Sequence, residues 1–302
     1  MNILCSRNVK VSLFDRVGRH AINVDGITSR IEKFLLLLLF FATPPSSFSF
    51  RCASPKPNAS CSSLVDYVSP NATTLSAIQT LFTLPNLTSI LAANNLALST
   101  PSTHHIASQQ IIKIPFPCIC TNGNGISNGL PSYTIVGGDG LYHITAEVFS
   151  GLVSVKQIQA ANNISNPDLI IEGQNLSILL PCSCDDVDGQ KVVHYGHVVP
   201  AGSSVEGISQ HFNIPKDTLL RLNNLTSPAE LMAGSILDVP LRACSSMINN
   251  NSMDYPLLVP NDTYALTAGN CVVCKCDAAL QWMLQCVPSG SCLSDSVRCE
   301  GP

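Results

Sequence analysis

The chain is 302 residues long, 12% charged and 45% hydrophobic, with a formal net charge of −4 and an isoelectric point near 5.9. It has no run of Lys and Arg, which excludes a phosphate backbone, and with it nucleic acid, as the ligand; a neutral ligand fits this balance better. No stretch of about 20 apolar residues occurs, so the sequence predicts no transmembrane helix.

The first element in chain order is FLLLLLFFA at residues 34–42, preceded by Arg30 and Lys33. It is too short to cross a bilayer and suits the apolar region of a secretory signal peptide. Residues 1–50 are therefore read as a signal peptide with an atypically long leading region, attributed to an incorrect start in the gene model, and left out of the fold. The chain carries fourteen cysteines. Cys5 leaves with the leader, so the rest hold an odd number. Cys52 and Cys61 come first, then Cys118-Ile119-Cys120 and Cys182-Ser183-Cys184, then a cluster of Cys244, Cys271, Cys274, Cys276, Cys286, Cys292 and Cys299. This density implies an oxidising compartment and a disulfide framework. Asn-x-Ser/Thr acceptors at Asn58, Asn71, Asn86, Asn163, Asn175, Asn224, Asn250 and Asn261 point to the same secretory route.

Beyond the leader the chain repeats itself three times. Each segment opens with a strand-like stretch, at 65–68, 133–136 and 192–199. An apolar triplet at helical spacing follows: Leu75, Ile78 and Phe82; Leu141, Ile144 and Val148; Val205, Ile208 and Phe212. Ser203 and Glu206 form a capping-box pattern before the third triplet. Second helices are predicted at 89–93, 154–161 and 217–222. Each ends at an asparagine pair, Asn94-Asn95, Asn162-Asn163 or Asn223-Asn224, because asparagine tolerates the left-handed backbone of a helix C-terminus. The segments close on Ile114-Pro115-Phe116-Pro117-Cys118, Leu179-Leu180-Pro181-Cys182 and Val239-Pro240-Leu241-Arg242-Ala243-Cys244. Such units have small cores, and disulfides between them would add stability at about 2–5 kcal/mol each. Residues 245–302 form a cysteine-rich C-terminal region that reads as truncated, with no hydrophobic tail for a lipid anchor.

This pattern resembles the LysM family, in its plant extracellular form with three units separated by Cys-x-Cys. The strings that carry the likeness are Asn71-Ala72-Thr73-Thr74-Leu75 with Ile78-Gln79-Thr80-Leu81-Phe82, then Val193-His194-Tyr195, then Asn270-Cys271-Val272-Val273-Cys274-Lys275-Cys276. The resemblance implies an α+β fold of three small βααβ units at 52–120, 131–184 and 192–244. It also implies the disulfides Cys52–Cys120, Cys61–Cys184 and Cys118–Cys182; the spacing alone leaves all 15 pairings of six cysteines open. A glycan groove is expected in the second unit, between a loop carrying Gly137, Gly138, Asp139, Gly140 and Leu141 and a loop carrying Asn166, Pro167, Asp168, Leu169 and Ile170. Glycines would let the backbone approach the sugar. Asp139 and Asp168 would accept from hydroxyls, and Leu141, Leu169 and Ile170 would meet the acetyl methyl and the apolar sugar face. The family implies chitin oligosaccharide as ligand, a LysM receptor-like kinase as signalling partner in plant innate immunity, a ligand-bridged homodimer, and a GPI anchor at the outer face of the plasma membrane. Peptidoglycan recognition and passive wall binding are the alternatives.

An enzyme is not expected. Glu147, Glu172, Glu206 and Glu230 all sit in repeat elements rather than in a paired catalytic arrangement, and no Gly-x-Ser-x-Gly occurs. No cofactor or metal is expected either. The spacing Cys271-x-x-Cys274-x-Cys276 is metal-like, but disulfides are the reading for a secreted chain. Asp185-Asp186-Val187-Asp188-Gly189 lacks the remaining ligands of a calcium loop.

Overall fold

The computed structural model describes residues 50–53, 59–246, 252, 254–267 and 269–290. The expected leader (apart from Phe50), the acceptors Asn58 and Asn250, and Cys5, Cys292 and Cys299 lie outside the described residues. No helix among the described residues is long and apolar enough to cross a membrane.

A two-residue strand, β1 (Phe50–Arg51), precedes the repeats. Phe50 pairs with Gly125 and is buried, so the fold already includes the residue at which the leader was expected to end. The first unit contains β2 (Ser60–Val68), β3 (Thr73–Thr74), α1 (Leu75–Leu81), α2 (Thr88–Ala93), β4 (His105–Ile106) and β5 (Ile111–Thr121), and β6 (Asn124–Ser127) turns back from it. The second contains β7 (Ser132–Thr134), α3 (Leu141–His143) running into a π-helical turn at Ile144–Val148, α4 (Val155–Asn162) and β8 (Asn175–Ser177). The third contains β9 (Val192–Val198), α5 (Val205–Phe212), α6 (Lys216–Leu222) and β10 (Ile236–Ser245). Strands β11 (Leu258–Pro260), β12 (Tyr264–Thr267), β13 (Val272–Cys276) and β14 (Leu284–Pro288) form the C-terminal region.

The helices form where the triplets place them. Leu75, Ile78 and Phe82 are buried, as are Leu141, Ile144, Val205 and Ile208, while Val148 and Phe212 are half-buried. Thr74, Ser154 and Ser204 cap α1, α4 and α5 through their side-chain oxygens, and only Ser154, with Gln157, completes a capping box. The expectation for Ser203 is thus one residue early: Ser203 closes the preceding turn through its N–H to Pro200, and Glu206 instead pairs with Lys216.

The asparagine pairs divide their labour. The second member, Asn95, Asn163 or Asn224, takes the left-handed backbone with φ of 51°, 54° and 53°. The first member closes the unit. Asn94 Nδ2 donates to Ile90 O and Lys113 O, and Lys113 N donates back to Asn94 Oδ1. Asn162 repeats this with Ile158 and Ser177, and Asn223 with Leu219 and Asp238.

The hairpins of the first and third units fuse into one seven-stranded sheet in the order β1-β6-β5-β2-β9-β10-β11. The junction is parallel, with Leu64 opposite Tyr195 and Val65 opposite Gly196. Gly196 is required there, because a Cβ would sit 3.0 Å from Val65 Cγ1 and 3.2 Å from Ile236 Cγ2. The second unit stands beside this sheet, and β7 and β8 pair only with each other. It is tied on by Cys118–Cys182 and Cys61–Cys184, while Cys52–Cys120 anchors the entering chain. Cys244–Cys276 and Cys274–Cys286 hold the C-terminal region, where Cys271 is also disulfide-bonded.

Polar groups are buried at the fused junction. Asp66 accepts from Val198 N at 2.6 Å and pairs with His197 Nδ1 at 2.7 Å. His194 places Nδ1 2.8 Å from Asp238 and Nε2 2.9 Å from the Asp185 carbonyl. A backbone carbonyl and an ionised carboxylate both only accept, so this pair of neighbours favours a ring that donates from both nitrogens, the imidazolium. Burial by itself lowers its pKa, but the charge and hydrogen bond of Asp238 and the Asp185 carbonyl raise it above the ordinary value overall.

Because the folded-state pKa is raised, this contribution is complete below the unfolded value of about 6.5 and is lost as pH rises through the folded value. Thermal melts across pH should show Tm falling on the alkaline side of about 6.5, and His194→Gln should melt lower with that slope reduced. Replacing Asn223 by alanine strands a strand N–H and two carbonyls. It should cost about 1–3 kcal/mol in denaturant unfolding.

Candidate functional site

In each unit the loop after the first strand is bonded to the loop after the second helix, the two walls expected to flank a groove, and the three pairs of walls differ. In the first unit the walls are zipped together. Thr73 and Thr74 pair with Ile106 and His105 as a β3–β4 ladder. Leu75 N donates to His104 O, Ser76 N to Ser102 O, and Gln109 N to Ser69 O. In the third unit, Val199 bonds at the base to Ser235 and Gly234, and Met232 is the one large apolar side chain exposed on either wall.

In the second unit the backbone hydrogen bonds between the walls are at their base. Ile135 N donates to Gln174 O and Gly173 N to Ile135 O. Above that, Gly137 packs against Glu172, where a Cβ would lie 3.1 Å from Oε2. Gly138 takes φ +90°, a conformation that favours glycine, and a Cβ at Gly138 or Gly140 would meet nothing within 4 Å. The first wall is braced by Asp139, whose carboxylate accepts from the Tyr133 hydroxyl at 2.8 Å and Val136 N at 2.9 Å. Burial first, and then the Asp139 hydrogen bond, push the Tyr133 hydroxyl up to about 12, so it stays a donor at neutral pH. The second wall is a turn in which Asn166 Oδ1 accepts from Asp168 N and Asn166 O from Leu169 N. Gln174 Oε1 then accepts from Ile171 N.

Of the ten residues expected at this groove, Gly137, Gly138, Asn166, Pro167, Asp168 and Leu169 are exposed on the two walls, and Gly140 is half-buried at the start of α3. Three turn elsewhere. The Asp139 side chain is 3% exposed, and its hydrogen bonds are made inside its own loop. Leu141 is 2% exposed in the core. Ile170 is half-buried against that core, whereas Ile171, the next residue, is 71% exposed. The structure adds Val136, Tyr142 and Glu172. Val136 and Tyr142 are 55% and 78% exposed, comparable with Leu169 at 72%. Their signal in the sequence is slight: Ile135-Val136 and Ile170-Ile171 are adjacent apolar pairs, and only one member of each can face inward.

Apolar side chains rimmed by backbone polar groups, with no cationic side chain on either wall, make a surface suited to a neutral amphiphile. Among the described residues, the cysteine groups close enough to hold a metal, Cys52, Cys120 and Cys184 with Cys61 and Cys118, are those of the disulfides.

The LysM domain family model matches residues 133–179 and 197–240, in the second and third units. LysM domain-containing GPI-anchored protein 2 of Arabidopsis thaliana is 45% identical over 257 residues, covering 84% of this chain and 73% of that one. Chitin elicitor-binding protein of Oryza sativa subsp. japonica is 40% identical over 244 residues, covering 80% and 68%. The crystal structure of the ectodomain of a receptor like kinase superposes with a TM-score of 0.51 at 23% identity, covering 63% of this chain and 94% of that one, a likeness of fold.

The two walls respond differently to substitution. Asp139→Ala should destabilise by about 1–3 kcal/mol, because it leaves the Val136 N–H and the Tyr133 hydroxyl without their acceptor. Leu169→Ala and Ile171→Ala, being exposed, should stay within about 0.5 kcal/mol of the parent. Chemical denaturation of the three variants checks both.

Proposed function

The chain belongs to the LysM domain family, in the group of plant LysM domain-containing GPI-anchored and chitin elicitor-binding proteins, and on that basis we propose that it is a cell-surface receptor binding chitin-type N-acetylglucosamine oligomers in the groove of its second unit. The observation that carries this reading is the contrast between units. The second groove is open and presents Val136, Leu169 and Ile171 to solvent, whereas the β3–β4 ladder closes the first. The name of the rice relative supplies the ligand class.

A neutral sugar needs no counter-charge, and the exposed walls offer apolar side chains and turn backbone instead. The N-acetyl methyl and the apolar ring face cover Val136, Leu169 and Ile171. Each 100 Å² of apolar surface removed from water contributes about 2.5 kcal/mol before the cost of association. Gly137, Gly138 and Gly140 admit the sugar close to the backbone, and Asn166, Pro167 and Asp168 shape the facing wall. Asp168 and Glu172 are the exposed carboxylates available to hydroxyls. One shallow site of this kind binds modestly. An oligomer long enough to span the second units of two molecules gains by effective concentration, which is why a ligand-bridged homodimer belongs to the proposal. The names of the relatives place this group on a GPI anchor, and the proposal takes the same location, the outer face of the plasma membrane. Signalling then passes through a LysM receptor-like kinase as partner, and no catalysis is assigned to the chain.

The test is calorimetry on the full chain from a secretory eukaryotic host, titrated with a chitin octamer, a chitin trimer and a muropeptide. The octamer should saturate, and more tightly than the trimer. Leu169→Ala with Ile171→Ala should weaken it at least ~10-fold, equivalent to about 1.4 kcal/mol, whereas Met232→Ala in the third unit should not. Muropeptide binding without an octamer response would move the assignment to bacterial-wall recognition.

A further inference from the structure

A second concavity lies away from this groove, where the first unit, the third unit and the C-terminal region meet. It has a volume of about 240 Å³ and is walled by α2, β2, β11 and β12. This is below the ~300 Å³ at which sites for drug-sized ligands begin. It is therefore on the scale of a single sugar ring. Its lining carries no Asp, Glu, Lys, Arg or His. Ala92, Pro260 and Leu266 give it apolar faces, and Ser62, Ser89 and Asn270 give it neutral hydrogen-bonding groups.

Two of its lining residues are the ends of one glycosylation acceptor, Asn86-Leu87-Thr88. The Asn86 amide is fixed in orientation. Its Oδ1 accepts from Ser89 N at 3.1 Å, at the start of α2, and from Thr88 Oγ1 at 2.6 Å. The carbonyl side is therefore turned to the helix. Nδ2, the atom that carries a glycan, has no partner among the described residues. Asn261 is the opposite case: its Nδ2 donates to Asp262 Oδ2 at 2.6 Å while its Oδ1 accepts from Ala278 N at 2.7 Å.

We propose that Asn86 carries an N-linked glycan whose first N-acetylglucosamine seats in this cleft and braces the first unit against the C-terminal region. In the attachment an Nδ2–C1 bond forms as the C1–O bond of a lipid diphosphate-linked oligosaccharide breaks. The lipid diphosphate leaves with the bonding electrons, and the amide loses one proton. The cleft suits the attached sugar: the acetyl methyl and apolar ring face meet Ala92, Pro260 and Leu266, and the ring hydroxyls meet Ser62, Ser89 and Asn270. The sugar thereby adds to a junction that includes the Tyr264 hydroxyl donating to Leu96 O at 2.6 Å. It also occupies a cavity otherwise open to a free small ligand.

The experiment takes the full chain from a plant or insect secretory host and digests it natively with an endoglycosidase, with glycopeptide mass spectrometry as readout. Asn224, exposed at the end of α6, is the internal reference. Asn86 should be occupied, and its glycan should be released at least 10-fold more slowly than that on Asn224, with the difference vanishing after reduction and denaturation. An empty Asn86, or native release at the rate of Asn224, overturns the proposal. Two variants separate the sugar from the helix cap. Asn86→Asp keeps a capping oxygen, and Thr88→Val keeps Asn86 itself; both abolish attachment. Both should accelerate amide hydrogen exchange in residues 88–93 and 258–266 relative to the parent and leave residues 205–222 unchanged. Parent-like exchange in both variants overturns the bracing role.

Discussion

Each repeat is closed by one asparagine side chain making three hydrogen bonds: Nδ2 to the carbonyl four residues back on the second helix, Nδ2 to a carbonyl of the last strand, and Oδ1 from the N–H of that same strand residue. The distances run from 2.6 to 3.0 Å in all three units. A βααβ unit of this size has only a small core to fix the angle between its last helix and its last strand. A carboxamide is the group that donates and accepts at once on a short stem, which is what a helix end and a strand flank together require. The following residue then leaves the helix through a left-handed backbone, and the groove wall starts directly from that point. The loop that follows each second helix is held by this polar staple together with the core.

That dependence explains which parts of the molecule could be read in the sequence. The apolar triplets, the helix-ending asparagines and the wall loops are local patterns, and they lie where the periodicity and the turn residues put them. The work of Asn94, Asn162 and Asn223 was not legible, because its other half lies 15 to 19 residues away on a strand. The same limit hid the inward turn of Asp139. A loop aspartate looks like a ligand group until Tyr133 and Val136 are seen to use it up. Ser203 against Ser204 is a one-residue choice between adjacent identical side chains, decided by which of them lies beside Gly207 N. The parallel join of β2 and β9, with Asp66 and the His194–Asp238 pair buried around it, has no local signature.

The units share a frame but not a surface. In the first, the wall loops are long enough to find each other and form a ladder, which fills the groove with backbone. In the second, no ladder joins the walls, which bond at the base and meet where Gly137 packs against Glu172, and the apolar residues that cannot all face inward are left exposed. The second unit also stands outside the large sheet, attached by disulfides that enclose 64 and 123 residues. On the chain-entropy view, loops of that length contribute about 4–5 kcal/mol each. The disulfides add to the backbone bonds Ser127 N to Leu180 O and Cys182 N to Gly125 O and to a core shared with the first unit, while β7 and β8 stay outside the large sheet.

The parallel junction also sets a problem of timing. Ser63 and His194 lie 131 positions apart, and the second unit is made between them. While the chain emerges into the secretory compartment, β2 has β5 on one flank and an unpaired row of backbone groups on the other, with Asp66 still unmatched, until β9 arrives. Contacts of such long sequence separation are slow to form, and an open strand edge invites wrong pairing in the interval. Maturation of this ectodomain is therefore governed by the arrival of its third unit, and losses during export should accumulate at that stage rather than in the folding of any single repeat.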